Sequence, residues 1–132
     1  MLKALLIALL AGLVAYGGEL TSPAHAAQPA AVTVQLANFS FTPAQLNLRA
    51  NTPTVLQLQN NASGGHNFSA PAFFAAARID AASAALVRGG KIEIPGHSTV
   101  QVVLTPAAGQ FPLKCSHTLH SAFGMKGTII VR

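Results

Sequence analysis

Four residues in one short segment have side chains that could do chemistry. The segment KCSHTLHSAFGMKG, residues 114–127, contains Cys115, the only cysteine of the 132-residue sequence, followed by His117, His120 and Met125. A thiol beside imidazoles can be a nucleophile activated by a base, a metal ligand or a small buried side chain. The residue types alone leave all three interpretations open.

The alternation of side chains along the strand before the cysteine predicts that its thiol points toward the interior. Phe111, Leu113 and Cys115 share one parity, so a strand that buries the first two side chains also points the thiol inward. His66, on a separate predicted strand, adds an imidazole to those of the segment. One thiolate, two imidazoles and one thioether form the donor set of a trigonal copper site with a weak axial ligand, in which both Cu(II) and Cu(I) are tolerated.

Two other kinds of site fit this sequence less well. A Cys–His nucleophile needs a third polar group that orients the base, and the acidic residues beyond the first 26, Asp80 and Glu93, are far from the segment in sequence. A structural zinc site would use the cysteine and histidines but would gain little from methionine. We therefore expect no enzymatic activity in the chain by itself.

The first 26 residues have the features of a secretory signal peptide. Lys3 gives a positive start, residues 4–15 are apolar, and Ala24-His25-Ala26 matches an A-x-A cleavage site. The apolar run is shorter than the roughly 20 residues of a membrane-spanning helix. We expect residues 1–26 to be removed and residues 27–132 to form one copper-binding domain in the periplasm or outside the cell. A free thiol is prone to oxidation there, so a metal-binding role would explain its presence.

The charge of the exported chain restricts its partners. Removal of Lys3 and Glu19 leaves seven basic residues against Asp80 and Glu93, a net charge of +5. The basic residues are scattered along the sequence without a basic–aromatic cluster, which argues against nucleic-acid binding. A positive net charge keeps a protein soluble, which is one explanation of the basic composition. The other is that a positive surface speeds encounters with acidic partners. We expect transient contacts with acidic protein surfaces and no stable membrane insertion after cleavage of the leader.

Short alternating runs of apolar residues, separated by turn signals, predict an all-β protein. Seven or eight such runs predict an antiparallel β-sandwich. The segment AFFAAARIDAASAALV, residues 72–87, is rich in alanine and predicts a helical insertion against the sandwich. The apolar positions expected in the core include Val32, Val34, Leu36, Leu46, Leu48, Leu56, Leu58, Phe68, Ile92, Ile94, Val100, Val102 and Leu104.

The pattern C-x4-H-x4-M, with Gly124 before the methionine and Gly127 two residues after it, is similar to the copper loop of the cupredoxins. This is the type 1 blue-copper family of plastocyanin, pseudoazurin and azurin. Phe41-Thr42-Pro43, Asn60 and Gly65-His66-Asn67-Phe68 resemble the first half of family members. The resemblance covers about residues 32–132 and implies a Greek-key, cupredoxin-like sandwich.

The resemblance also implies a role for each site residue. The implied ligands of one copper ion are His66, Cys115, His120 and Met125. Asn67 resembles the family asparagine that ties the two ligand-bearing segments together by hydrogen bonding near Cys115 and Ser116, which orients the ligands. The spacing to the methionine and the Gly-Met-x-Gly context favour His120 over His117. His117 is then a polar loop residue, or an alternate ligand when the loop rearranges.

The implied function is that of an exported copper protein, a monomer that shuttles single electrons between redox proteins by Cu(II)/Cu(I) cycling. The alternative is a periplasmic copper-binding protein for copper delivery, storage or resistance, in which the metal itself is exchanged. Leu119, Ala122 and Phe123 flank His120 and would form an apolar rim where a partner docks through a small interface. Phe123 could instead fold inward over the metal.

Overall fold

The computed structural model describes residues 17–18, 22–23 and 28–132. Most of the expected leader, residues 1–26, lies outside the described residues, so its removal stays a prediction. No helix in the described part of the chain is both long and apolar enough to cross a membrane.

Residues 28–132 contain ten strands, one α-helix and one 3₁₀ turn. The strands are β1 (Ala30–Ala37), β2 (Ser40–Thr42), β3 (Gln45–Leu48), β4 (Thr54–Asn60), β5 (His66–Ser69), β6 (Arg78–Ile79), β7 (Lys91–Ile94), β8 (Thr99–Thr105), β9 (Gly109–Lys114) and β10 (Lys126–Val131). Helix α1 is Pro71–Ala76, and the 3₁₀ turn is Ala84–Leu86.

The strands form two five-stranded sheets, with the orders β2-β1-β4-β8-β6 and β3-β10-β9-β5-β7. This confirms the all-β sandwich, with ten strands where seven or eight were expected. The pairing is mixed, because β1 runs parallel to β4 and β3 runs parallel to β10. The expectation of wholly antiparallel pairing was wrong for these two pairs. Apolar alternation identifies the buried face of a strand but not the direction of its neighbour.

The core contains inward-facing side chains from both sheets in one contiguous cluster. The predicted core positions are buried, except Val32, Val100 and Phe111, which are partly buried and pack against the cluster. Burial of alternate residues on facing sheets is the main source of stability in such a sandwich. Cys115 and Met125 belong to the same cluster, so the candidate site adjoins the core.

The alanine-rich segment is not one helix. Helix α1 covers six residues, starts with Pro71 in its first turn, and ends at Ala77, whose backbone is extended. The chain then pairs through β6 with β8, and only the short 3₁₀ turn follows. Phe73 and Phe74 are the buried residues of α1. Alanine favours helix but offers little apolar surface to pack, so strand pairing overrides its propensity here.

Loops at one end of the sandwich are tied together just before β5. The buried Asn60 side chain donates from Nδ2 to the carbonyl oxygens of Gly64 (2.9 Å) and Ile94 (3.0 Å). Gly96, in the turn after β7, lies so close to the carbonyl of Ser63 that a Cβ at this position would clash with it. The loop that leads into β5 is therefore held against the β7–β8 turn.

Candidate metal centre

Three donor side chains converge at this end of the sandwich. His66 opens β5, Cys115 directly follows β9, and His120 lies in the loop between β9 and β10. The two imidazole Nδ1 atoms are 3.1 Å apart, and the Cys115 Sγ lies 3.4 Å from Nδ1 of His120 and 3.9 Å from Nδ1 of His66. Two distant parts of the sequence thus bring three donor atoms to one point.

The spacing of these atoms fits a bound metal ion. Ligand bonds of about 2.0 Å to nitrogen and about 2.3 Å to sulfur place the atoms of a trigonal site roughly 3.5–3.8 Å apart. The observed separations, 3.1–3.9 Å, bracket that range. A thiolate with two imidazoles is a donor set suited to copper. Only small adjustments of the side chains are needed to accept the ion.

Met125 closes the loop that carries His120. Its side chain is fully buried. Its backbone N–H donates to the carbonyl of His120 (3.0 Å), and its carbonyl accepts from the N–H of Cys115 (3.1 Å). These bonds draw the two ends of the loop together and place the methionine beside the cysteine in the core cluster.

Asn67 bridges the two strands that carry His66 and Cys115. The ladder between β5 and β9 contains a single register pair, Ser69 with Lys114. Beyond that pair, the Asn67 Oδ1 accepts from the N–H of Ser116 (2.8 Å), and its Nδ2 donates to the Ser116 Oγ (2.7 Å). The backbone N–H of Asn67 donates to the Cys115 Sγ (3.4 Å). A buried side chain thus replaces the backbone ladder, and the N–H donor helps to hold the sulfur in place.

Glu93 lies against the loop, contrary to the expectation that no acidic residue would be near it. The pairing of β5 with β7 places Glu93 opposite Asn67. Glu93 Oε1 accepts from the Asn67 Nδ2 (2.9 Å), and its Oε2 lies 2.9 Å from the His117 Nε2. Burial by itself would raise the pKa of Glu93, but hydrogen bonds from Asn67 and His117 outweigh it and lower that pKa. The sequence could not predict this contact, because it depends on the register between β5 and β7, and local alternation does not determine the register of distant strands.

His117 is paired with Glu93 and does not join the group of donor atoms. Its side chain is 34% exposed. Its ring stacks on that of His66 with centroids 6.5 Å apart and is tilted against that of His120 at 5.3 Å. The structure therefore places His117 next to the predicted ligands, with its Nε2 directed at a carboxylate.

The surroundings of His66 favour its neutral form, which is the form that binds metals. Burial lowers its pKa, and positive charge on His120 and His117 lowers that pKa further. A neutral imidazole can present its Nδ1 lone pair to an ion without first losing a proton. The electrostatics of the site therefore agree with its geometry.

An apolar rim surrounds His120 on the surface, and we use this name for Phe39, Leu119, Ala122 and Phe123. Phe123 is 63% and Leu119 61% exposed, so Phe123 does not fold inward. Phe39, from the β1–β2 turn, was not anticipated. Its ring meets that of His120 edge-on, with centroids 5.5 Å apart, and lies 5.3 Å from Phe123.

The backbone of the rim is strained at two positions. Phe39 and Leu119 have φ angles of 63° and 65°, in the left-handed region that bulky residues rarely adopt. Strain of this kind tends to occur at functional sites, because the surrounding structure must hold the residue in place. Here it keeps two large apolar side chains exposed beside a half-buried imidazole.

Comparisons with known proteins agree with this geometry. The family model described as "Cupredoxin-like domain" matches residues 6–131. Auracyanin B is similar in structure, with a TM-score of 0.56, 24% identity, and 81% of this chain and 92% of that chain covered. A search of curated proteins found no match.

Two further solved structures share the fold. A dithionite-reduced auracyanin from the photosynthetic bacterium Roseiflexus castenholzii has a TM-score of 0.58 and 15% identity, with 80% of this chain and 99% of that chain covered. Auracyanin A, a "blue" copper protein from the green thermophilic photosynthetic bacterium Chloroflexus aurantiacus, has a TM-score of 0.53 and 20% identity, with coverages of 77% and 99%.

Proposed function

From the premise that this chain belongs to the cupredoxin-like domain family, with copper as its cofactor, we propose that it is an exported type 1 copper protein that carries single electrons between redox proteins. The observation that carries this proposal is the convergence of one thiol and two imidazoles, whose donor atoms all lie within 4.8 Å of one another. This donor set suits an ion that must be stable in two oxidation states.

Each residue of the site has a distinct part in the proposal. The proposed ligands of the single copper ion are His66, Cys115, His120 and Met125. The bound ion supplies one-electron chemistry by alternating between Cu(II) and Cu(I). The hydrogen bonds of Asn67 hold Cys115 and the adjoining segment in place, so the ligand positions change little between the two states. Little rearrangement means a small barrier to electron transfer.

His120 is the proposed point of entry and exit for electrons. It is less buried than His66, and its ring contacts Phe39 in the apolar rim. A partner that covers the rim would come into contact with the imidazole edge. Small apolar interfaces suit weak and short-lived redox encounters. We place the docking residues at Leu119, Ala122 and Phe123, now together with Phe39.

We propose a carrier rather than an enzyme, acting as a monomer in the periplasm or outside the cell. The thiol and two imidazoles that could act as nucleophile and base are all placed toward one point, as ligands would be. The leader-like features of residues 1–26 support export.

Addition of Cu(II) to the purified protein tests the proposal. We expect an intense visible thiolate-to-copper band that disappears on reduction and returns on oxidation, and its absence from the Cys115→Ser variant. A colourless wild-type protein would contradict the proposal. Rapid loss of copper to a competing chelator would instead favour the alternative, copper delivery or storage, because a carrier of electrons must retain its metal.

A further inference from the structure

The three lysines outside the leader form one row across a sheet. Lys91 lies opposite Ser69, Ser69 opposite Lys114, and Lys114 opposite Lys126. The row crosses β7, β5, β9 and β10 in turn, although its members are far apart in sequence. The basic residues that the sequence presents as scattered are thus concentrated in part by the fold. We call Lys91, Lys114 and Lys126 the lysine row.

The lysine row lies on the outer face of its sheet. Glu93, two residues from Lys91 on β7, is its acidic neighbour, and the charge of Lys91 contributes to the lowered pKa of Glu93. The neighbours Ile92, Leu113 and Met125 are buried, so the alternating lysines face outward. No ion pair involving these lysines is formed within residues 28–132. Like charges directly opposite on neighbouring strands are destabilising, as at Lys114 and Lys126. Dispersed charges would be enough to keep the protein soluble. A row of like charges that lowers stability therefore needs another explanation.

The lysine row lies at the base of the copper loop. Lys114 immediately precedes Cys115, and Lys126 immediately follows Met125. A surface hollow of about 300 Å³ is lined in part by these two lysines and by Pro71. The hollow is lined mainly by apolar groups and has room for a side chain of another protein beside the two lysines.

We propose that the lysine row is a docking surface for an acidic patch on a redox partner protein, whose carboxylates pair with the three ammonium groups at the surface. This inference rests on the proposed function, since it assigns the partner that exchanges electrons with the site. Opposite charges on the two proteins accelerate their encounter and fix their orientation. A partner oriented by the lysine row lies over the strands that end at the proposed ligands.

The probe for this surface is a peptide of glutamate residues, titrated at low salt into the ¹⁵N-labelled, reduced copper protein. We expect the largest chemical-shift changes at the lysine row and Ser69. A variant with Lys91→Gln, Lys114→Gln and Lys126→Gln should bind the peptide about tenfold more weakly, the sum expected for three exposed ion pairs. The matched control has the same loss of charge at Arg49→Gln, Arg78→Gln and Arg132→Gln, and should bind within about twofold of wild type, because these residues lie away from the row.

Equal weakening in the two variants would overturn the proposal, because net charge alone would then explain binding. Equal affinity for a single-stranded oligonucleotide, at the same residues, would also overturn it, since the surface would then be a general polyanion site. The readout is binding, not electron transfer. A protein that binds the peptide at the row but forms no coloured copper site would contradict the proposed function and leave the docking surface standing.

A second observation, independent of the lysines, concerns Glu93. Its Oε1 accepts from the Asn67 Nδ2, the same nitrogen that donates to Ser116 Oγ, while the Asn67 Oδ1 accepts from the Ser116 N–H. With its amide reversed, Asn67 would present an oxygen to the carboxylate, which is repulsive. Glu93 therefore fixes the orientation of the side chain that bridges the ligand-bearing strands.

We infer that Glu93 is a positioning residue for the copper site, which acts through Asn67 and lowers the reduction potential. Its carboxylate has no contact with a proposed ligand, so it acts by orienting the Asn67 bridge and by its charge. A negative charge near the site favours the oxidised ion, which carries one more positive charge than the reduced ion. This inference also rests on the proposed function.

Glu93→Gln removes the charge while preserving size, and Asp80→Asn is the matched control because it removes the other acidic charge of the described chain at a remote strand end. We expect Glu93→Gln to raise the reduction potential. A tenfold change in the equilibrium constant of this one-electron couple corresponds to a shift of about 59 mV. Asp80→Asn should leave it near the wild-type value. A second readout on the copper-free protein is the NMR signal of the Asn67 side-chain amide, which should shift only in Glu93→Gln.

Wild-type potentials in both variants, or equal shifts in both, would overturn the role of Glu93. A wild-type protein that fails to bind copper or to cycle would instead contradict the proposed function. In that case the amide signal of Asn67 still reports whether Glu93 orients it.

Discussion

The two halves of the candidate site are built in different ways. The anchored half, His66, Asn67, Cys115 and Ser116, is carried by β5 and the end of β9 and is joined by hydrogen bonds between residues about 50 positions apart. The loop half, residues 117–124, is held mainly by local bonds, such as those from the N–H groups of His120 and Phe123 to carbonyls three or four residues earlier. The anchored half is therefore fixed by the sheet, and the loop half is fixed by hydrogen bonds within its own turns.

This difference separates two demands that the proposed function would place on the site. The anchored half buries the thiol and one imidazole and holds them on a rigid frame, which keeps ligand movement small. The loop half brings the second imidazole to the surface and surrounds it with exposed apolar side chains. Changes in the anchored half should therefore affect the metal and the fold, and changes in the loop half should affect exchange with the outside.

The largest effect is expected from Cys115→Ser in the anchored half. A hydroxyl cannot supply the strong thiolate bond, so the visible band should vanish, and copper binding should weaken by more than the roughly 10–100-fold typical of losing a supporting residue. Spectral titration with Cu(II) measures both effects. Retention of the band would show that the thiol is not a ligand.

A pair of histidine variants tests the contrast directly. In His120→Gly, which opens the loop half, added imidazole should enter from solvent and restore the copper spectrum. In His66→Gly the same imidazole should restore little, because this side chain is only 2% exposed and lies beneath the loops. Equal rescue of the two variants would show that the halves do not differ in access.

Asn67→Ala should destabilise the copper-free protein by about 2–3 kcal/mol, because it removes three side-chain hydrogen bonds made by a fully buried asparagine, one of them to a carboxylate. Chemical denaturation gives the free energy of unfolding. The control is Asn61→Ala, an exposed asparagine that should change this free energy by less than about 0.5 kcal/mol. Similar losses in both variants would mean that the bridge contributes nothing specific.

Leu119→Glu in the loop half should slow electron exchange with a redox protein several-fold and leave the stability within about 0.5 kcal/mol of wild type. Stopped-flow kinetics measures the exchange, and Lys114→Gln gives a comparison at the lysine row. Unchanged exchange in Leu119→Glu would exclude the rim as the contact surface. A loss of stability would show that the loop half supports the fold after all.

The smallest expected effect is a pH dependence of the copper-free protein. Because the pKa of His66 in the folded state is below 6.5, the unfolded chain binds the proton first as pH falls, and stability is lost from about pH 6.5 down to that lowered pKa. Denaturation at several pH values should show this slope in wild type and a smaller one in His66→Gln. Glu93→Gln should leave the loss of stability just below pH 6.5 unaltered. The pKa of Glu93 is lowered from 4.5, so this group titrates at a more acidic pH.

The sequence predicted those parts of the molecule that depend on local pattern. Alternation identified the inward face of most strands, and the spacing of Cys115, His120 and Met125 outlined the loop. The parallel pairings, the carboxylate of Glu93 beside the loop and the lysine row depend on register between distant strands, which alternation does not encode. The helix predicted for the Ala-rich segment was wrong because a local propensity was overridden by a long-range contact, the pairing of β6 with β8.

The single register pair between β5 and β9 has a consequence for the unfolded chain. Beyond that pair the strands are joined through Asn67 and through the two donors His66 and Cys115, which are 49 positions apart. A disulfide closing a loop of that length would remove chain entropy worth about 4 kcal/mol. With one cysteine this chain cannot make such a bond internally, and an ion shared by the two residues would restrict the same loop. The metal would then act as a reversible cross-link between the two halves of the sequence.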